Sequence, residues 1–244
     1  MKLLSFNTGY FLDYDGTHSN YAKNPWKGLI GSKNEKDNLD QFCDLINSVE
    51  PDAVLTQEVD GGSARSRLNG QHNYLNEKLD SFKSAFHNKY RGNIFPKLPM
   101  LRFMGNSVFF KEGNVTKHNL SVGRKNLVQE LKIGDISVFS LHLSTFGGWV
   151  RKRQLEEIHN IAKDRDHYVI AGDLNFHKGR KEINYLESLL GQEVHSPGKT
   201  FPAKKPNRKL DLVTASEGLK VNNISLLGET FSDHRPIKFE IKRV

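Results

Sequence analysis

The sequence predicts an α/β (α+β) protein in which two mixed β-sheets pack face to face and helices cover their outer surfaces. Three observations point there. Short β-rich runs outnumber helical patterns. Some of those runs follow one another directly, as in VQELKI-GD-ISVFSLHL over residues 128–143, so a purely parallel sheet does not fit. Apolar positions three or four apart mark four helices able to cover the sheets. The chain is 244 residues long with no internal repeat, linker or low-complexity tract, and is read as a single domain spanning 1–244.

KLLSF, residues 2–6, is the first strand. Its single lysine, short apolar run and missing small-residue cleavage site separate it from a signal peptide. Residues 10–33 show no apolar periodicity but carry Gly16, Gly28, Gly31, Tyr10, Tyr14, Tyr21 and Trp26. A loop that long inside a compact domain is usually functional, and it is read as facing the substrate. Over 36–49, Leu39, Phe42, Cys43, Ile46 and Val49 recur at helical spacing, which puts the lone cysteine in the core. DAVLTQ (52–57) is a strand, 71–80 a helix, and SFKSAFH (81–87) and NSVFFK (106–111) are strands. The hairpin VQELKI-GD-ISVFSLHL turns at Gly134-Asp135. The helix over 149–164 buries Val150, Leu155, Ile158, Ile161 and Ala162 and turns Arg151, Lys152 and Arg153 outward. HYVIAGDL (167–174), a helix over 180–190, KLDLVTA (209–215) and PIKFEI (236–241) complete the series.

The net charge of +8 implies a positive field that favours polyanionic partners, nucleic acid first, then anionic lipid or phosphorylated small molecules. No apolar stretch approaches the roughly 20 residues of a membrane span, so stable membrane insertion is not expected. One cysteine rules out an internal disulfide and fits a reducing compartment or a disulfide-free secreted protein alike; with no signal peptide or membrane span, the expectation is a cytoplasmic protein, and a monomer.

Several strands end in an acid, an amide or a histidine. Asn7 follows KLLSF, Glu58 follows DAVLTQ, and His142 lies in FSLHLS. Asp173 and Asn175 close YVIAGDLN, Asp211 lies in KLDLV, and Asp233-His234 precede PIKFEI. Each alone is an ordinary capping or turn residue. Together they are costly to bury unless they meet one another, a metal or a substrate. Glu58, Asp173, Asp211 and Asp233 are hard oxygen donors and suit Mg²⁺ or Mn²⁺ rather than zinc, for which no Cys/His cluster is present. Asn7 and Asn175 add neutral donors, and His142 and His234 add groups that exchange protons near pH 7.

FNT with Asn7, LTQEVD with Glu58, LHLS with His142, GDLN with Asp173 and Asn175, LDLV with Asp211 and SDHRP with Asp233-His234 resemble, in this order, the signature of the endonuclease/exonuclease/phosphatase superfamily. The resemblance covers nearly the whole chain and implies a four-layer α/β/β/α sandwich of the deoxyribonuclease I type, with the site at one rim of the two sheets. It implies Mg²⁺-dependent phosphoester hydrolysis by in-line attack of water. Residue by residue, Glu58 resembles the main metal ligand with Asn7 beside it, and Asp233 a second metal-side or water-positioning acid. His234 resembles the catalytic histidine held by Asp211, while Asp173 and Asn175 resemble the groups that orient water and hold the phosphate.

The substrate is less determined. His142 is similar to a histidine of deoxyribonuclease I, sphingomyelinases and several phosphatases that abasic-site endonucleases lack. TFPAKKPNRKLDLV (200–213) and GNSVFFK (105–111) resemble a bacterial branch of metal-dependent hydrolases, in which Asn106 touches a phosphate or serves as a turn residue. GGSARSRLNG (61–70) follows Glu58, so Arg65 and Arg67 are candidates for bidentate pairing with a second phosphate or with a carboxylate. Lys199, Lys204, Lys205, Arg208 and Lys209 lead to Asp211, and basic residues on both sides of the proposed centre suit a nucleic-acid groove. The expectation is a phosphodiesterase with nuclease activity on DNA or RNA. Its alternatives are a sphingomyelinase-like or inositol-phosphate phosphoesterase, which should show an exposed apolar lip, and a non-catalytic nucleic-acid-binding protein.

Overall fold

The computed structural model describes residues 1–66, 68, 70–90 and 103–244. Its first half comprises β1 (Lys2–Asn7), α1 (His18–Lys23), α2 (Lys27–Ile30), α3 (Glu35–Val49), β2 (Ala53–Asp60), α4 (Gln71–Lys78), β3 (Lys83–Asn88), β4 (Met104–Phe110) and β5 (Asn114–Asn119). Then come β6 (Leu127–Ile133), β7 (Ile136–His142), α5 (Gly148–Ala162), β8 (His167–Asp173), α6 (Arg180–Leu190), β9 (Val194–His195), β10 (Asp211–Ala215), β11 (Leu219–Leu226) and β12 (Ile237–Arg243).

These strands form two six-stranded sheets, β11-β12-β1-β2-β4-β3 and β5-β6-β7-β8-β10-β9. Each holds one parallel pair, β1 with β2 and β7 with β8, among antiparallel neighbours. A parallel pair needs a crossover, and α3 and α5 supply them. Three apolar clusters separate four layers. Leu4, Phe6, Val54 and Phe109 meet α3 through Leu39, Phe42 and Ile46. Leu3, Leu55, Val138, Val169, Val213 and Phe239 fill the space between the sheets. Phe139, Leu141 and Ile170 meet α5 and α6 through Leu155, Ile158 and Leu186. Alternate residues of one strand therefore enter different clusters, as the two-residue period of a strand requires. This is the four-layer sandwich the resemblance implies.

The expected helices and strands are present, and the Gly134-Asp135 turn joins Ile133 to its partner Ile136. Three strands were not expected. β5 and the two-residue β9 are edge strands with little apolar alternation. In β11 the apolar alternation is broken between Val221 and Ile224, where the register to β12 shifts and Asn223 takes a positive φ. The segment 10–33 contains α1 and α2, and it buries Tyr10 and Phe11 while leaving Trp26, Leu29 and Ile30 exposed. Arg151, expected to face outward, is buried: its guanidinium donates to Glu182 and to the Ser144 and Thr145 carbonyls, tying α5 to α6 and to the chain after β7. Among the described residues no helix is long and apolar enough to cross a membrane.

Candidate active site

The site begins where the stripe between the sheets stops being apolar. In β1 that stripe runs Leu3, Ser5, Asn7; in β7 it runs Val138, Ser140, His142; in β8 it runs Val169, Ala171, Asp173. β10 runs the other way and begins with Asp211 before Val213. Register completes the alignment, because His142 pairs with Asp173 and Asp173 with Asp211 across three neighbouring strands. The three side chains therefore share one row at one rim. Below them Gln57 donates to Ser140 across the sheets at 3.3 Å. Gly172 lets β7 and β8 approach beside this row, since a Cβ there would lie 2.2 Å from the Leu141 carbonyl oxygen.

Glu58 reaches the rim through a bulge. The register of β2 to β4 shifts between Thr56 and Val59, so Gln57 and Glu58 together face Asn106, and Glu58 takes φ +60°. A non-glycine residue in that region is strained and needs support from its surroundings. Asn106 gives part of it by accepting from the Glu58 amide at 3.3 Å, and its own Nδ2 has no partner among the described residues.

The side chains form a continuous run across both sheets. Glu58 Oε1 lies 3.7 Å from His142 Nε2, which lies 3.5 Å from Asp173 Oδ2. Asp173 Oδ2 lies 3.8 Å from His234 Nε2, and His234 Nδ1 is 2.8 Å from Asp211 Oδ2. Asn7 Nδ2 donates to Asp173 Oδ2 at 2.9 Å and so links the sheets. Asn175, with φ +52°, donates its amide to Asp173 Oδ1 at 2.9 Å and its Nδ2 to Asp173 Oδ2 at 3.2 Å and to the Leu143 carbonyl. Ser232 Oγ donates to the Asn7 carbonyl at 2.8 Å, anchoring the turn that carries Asp233 and His234. Asp233 accepts from the Tyr21 hydroxyl of α1, so the segment 10–33 does reach the rim.

Burial sets the charges, and neighbours correct it. Burial would discharge His234, but Asp211 and then Asp173 outweigh it and push its pKa up to about 10. Burial raises Asp173 to about 6 against the pull of the His234 charge. Asp233 is raised by burial and then by Glu58. Burial would raise Glu58 as well, yet Lys89, Lys125 and His142 hold it well below the carboxylate range. Burial first and Lys125 next keep His142 neutral.

Asp173, Asp211 and His234 offer ligand atoms within 4.8 Å of one another, a group able to hold a metal ion. Asn7, Glu58, His142, Asn175 and Asp233 join them at the same rim. Arg65 does not stand free for a second phosphate. It is 3% exposed, its Nη2 pairs with Asp60 Oδ2 at 2.9 Å, and its guanidinium covers the Tyr10 ring. The carboxylate two residues beyond Glu58 neutralises it, so of the two partners the sequence left open it takes the carboxylate. Arg67 lies outside the described residues. TFPAKKP packs on the turn that carries Asp233 and His234: the Phe201 ring lies 4.9 Å from the His234 ring, Thr200 Oγ1 accepts from the Asp211 amide, and Ala203 N donates to the Asp233 carbonyl at 2.7 Å. Two residues were not foreseen. Lys89 follows β3, and Lys125 stands in the turn before β6; both meet Glu58 Oε1, at 3.2 and 3.4 Å. Their signal in the sequence is no more than a lysine beside a strand.

A comparison with curated protein sequences finds no significant match. Among solved structures, an endonuclease/exonuclease/phosphatase family protein from Leptotrichia buccalis is 15% identical, with a TM-score of 0.73 over 99% of both chains. Mannosyl-6-phosphatase Bt3783 of Bacteroides thetaiotaomicron is 13% identical, with a TM-score of 0.67 over 99% of both chains. The catalytic domain of human Nocturnin, with a bound sulfate anion, is 16% identical, with a TM-score of 0.65 over 100% of this chain and 94% of that one. At these identities the likeness is one of fold. The sequence model described as Endonuclease/Exonuclease/phosphatase family matches residues 4–234, a span that runs from β1 to His234 and takes in every residue gathered at the rim, and on that match the chain belongs to this family.

Proposed function

We propose that the protein is a Mg²⁺-dependent phosphoester hydrolase acting on nucleic acid. One observation carries the reading: the unbroken run of carboxylate and imidazole contacts from Glu58 through His142, Asp173 and His234 to Asp211, drawn from both sheets.

The donors fit a hard divalent ion. Glu58 is held ionised, the form in which a carboxylate ligates a metal. Glu58, with Asn7 and Asp233, would hold Mg²⁺, and Mn²⁺ suits the same oxygens. Asp173, Asp211 and His234 pack more closely, but Asp211 Oδ2 already accepts from His234, and a charged imidazole has no lone pair to give. Bound at Glu58, the ion supplies positive charge against the negative charge that builds on the phosphate and the leaving oxygen.

The chain's own groups divide the rest. Asp173, whose carboxylate burial makes more basic than usual, takes a proton from water as the water oxygen forms its bond to phosphorus. The ester oxygen departs with the bonding pair and takes up a proton, so one water is consumed. Asn7 and Asn175 hold the Asp173 carboxylate in place. His234, charged and fixed by Asp211, presents its Nε2 hydrogen to a phosphate oxygen. His142 fills the space between Glu58 and Asp173 without adding charge.

Nucleic acid is supported by the net charge of +8 and by Lys199, Lys204, Lys205, Arg208 and Lys209, all exposed on the segment that packs against Asp233 and His234. Trp26, Leu29 and Ile30, exposed on the segment that brings Tyr21 to Asp233, favour a second reading in which the ester belongs to a lipid. Hydrolysis of DNA, RNA, sphingomyelin vesicles and inositol phosphates, each with Mg²⁺ and with EDTA, separates them. Nucleic acid should turn over only with the metal, and Glu58→Gln should raise the Mg²⁺ requirement at least about 10-fold. Turnover of sphingomyelin alone moves the assignment to the second reading, and turnover of nothing removes both.

A further inference from the structure

Lys89 and Lys125 approach Glu58 from different sheets. Lys89 directly follows β3, where its amide donates to the Met104 carbonyl at 3.0 Å. It is 2% exposed, and its ammonium lies 4.8 Å from the centre of the Tyr10 ring and 5.4 Å from that of Tyr90. Lys125 stands in the turn between β5 and β6. That turn is pinned by Gln154 of α5, whose Nε2 donates to the Lys125 and Val122 carbonyls at 2.6 and 3.1 Å. Leu120 N donates to the Asn126 carbonyl across it, and a Cβ on Gly123 would lie 2.5 Å from Ser144 Oγ, so the turn has no room to shift toward β7. Both ammonium groups are thus carried on fixed backbone.

Among the described residues, Glu58 Oε1 is the one carboxylate oxygen within ion-pair distance of either ammonium. Lys125 also donates to His142 Nε2, a neutral acceptor. One carboxylate balances one positive charge. Two ammonium groups held on the same oxygen repel each other, and charge withdrawn from water without a partner is costly. A second anion at this point relieves both, and the run from Glu58 to His234 is where the phosphate of the proposed reaction sits.

We propose that Lys89 and Lys125 bind the non-bridging oxygens of the scissile phosphate and select a dianionic phosphate, a terminal phosphomonoester, over an internal diester. A monoester carries about 1.5 to 2 negative charges at neutral pH. A diester carries a single charge and turns one oxygen fewer toward the two ammonium groups. The inference rests on the hydrolase reading and narrows its substrate from any phosphate along a nucleic acid to one at its end.

Two measurements test it, and one needs neither metal nor turnover. In EDTA at pH 8, inorganic phosphate should raise the Tm of the wild-type protein more than dimethyl phosphate does. Lys125→Gln should lose most of that difference, and Lys125→Arg should keep part of it. No preference for inorganic phosphate in the wild type, or an equal preference in Lys125→Gln, overturns the inference. With Mg²⁺, kcat/KM is compared for p-nitrophenyl phosphate against bis-p-nitrophenyl phosphate, and for one oligonucleotide with and without a terminal phosphate. Lys125→Gln should lower the monoester-to-diester ratio at least about 10-fold, the scale of one charge-assisted hydrogen bond. A parallel fall on both esters overturns the selection. Preferential phosphate binding in a protein that hydrolyses no ester would sink the hydrolase reading and leave the lysine site standing.

Discussion

His234 is the residue at which burial and pairing oppose each other most sharply. Its proton is retained up to about pH 10 because the Asp211 and Asp173 charges outweigh the loss of water around the ring. Asp211→Asn removes the larger of those charges and keeps a side chain of the same size. The imidazole should then lose its proton at lower pH, so the alkaline limb of the pH–rate profile moves down, and kcat should fall at least about 10²-fold. An unmoved alkaline limb would take the His234 charge out of the mechanism. The same scale shows where sequence reading stops. His234 and Asp211 stand in distinctive settings, SDHRP and KLDLV, and their side chains meet as expected. Arg65 and Lys89 had no such setting, and they differ only in which carboxylate folding brings to them: Asp60 for Arg65, Glu58 for Lys89.

Among the elements, β6 carries a buried charge that never touches the rim. Glu130 accepts from Arg165 at 2.6 Å, from Ser137 at 2.7 Å and meets His118 Nε2 at 2.6 Å, joining β5, β6, β7 and the turn before β8. Burial alone would raise its pKa, but the Arg165 hydrogen bond, then Ser137 and His118, outweigh burial and lower it to about 2. A carboxylate depressed in this way stabilises the fold above its unfolded pKa, near 4.5, and that contribution is lost as the pH falls toward 2. Glu130→Gln should therefore lower the urea midpoint clearly at pH 6 and progressively less between pH 4.5 and pH 2. An equal loss at pH 6 and at pH 2.5 would show that shape, not charge, explains the residue. Elements with regular alternation were legible from sequence, as β7 and β8 show. The end of β2 and the middle of β11 were not, because a bulge inserts one residue and breaks the two-residue period on which strand recognition rests.

For the whole molecule, the charge of +8 matters through where it lies. Lys204 and Lys205 are exposed on the segment whose Ala203 amide holds the Asp233 carbonyl, where a polyanion bound at the proposed site would meet them. Reversing both to Glu should weaken nucleic-acid binding and flatten the plot of log K against log salt by about 2 in slope if each lysine meets one phosphate. An unchanged slope would clear this segment of backbone contact. The run from Glu58 to Asp211 is also a property of the whole molecule, since it needs two sheets stacked in one relative position, with β1, β2, β7 and β8 all ending at the same rim.

The amino-acid order by itself determined the class of fold, most of the elements and the set of polar groups at strand ends, because these follow from the period of apolar residues and from short distinctive runs of neighbours. Only the tertiary structure decided which of those groups touch, that Glu58 reaches the rim through a strained bulge, and that two lysines rather than Arg65 bring positive charge to it. Pairing between charges far apart in the chain depends on the register and stacking of two sheets, and no local period encodes that.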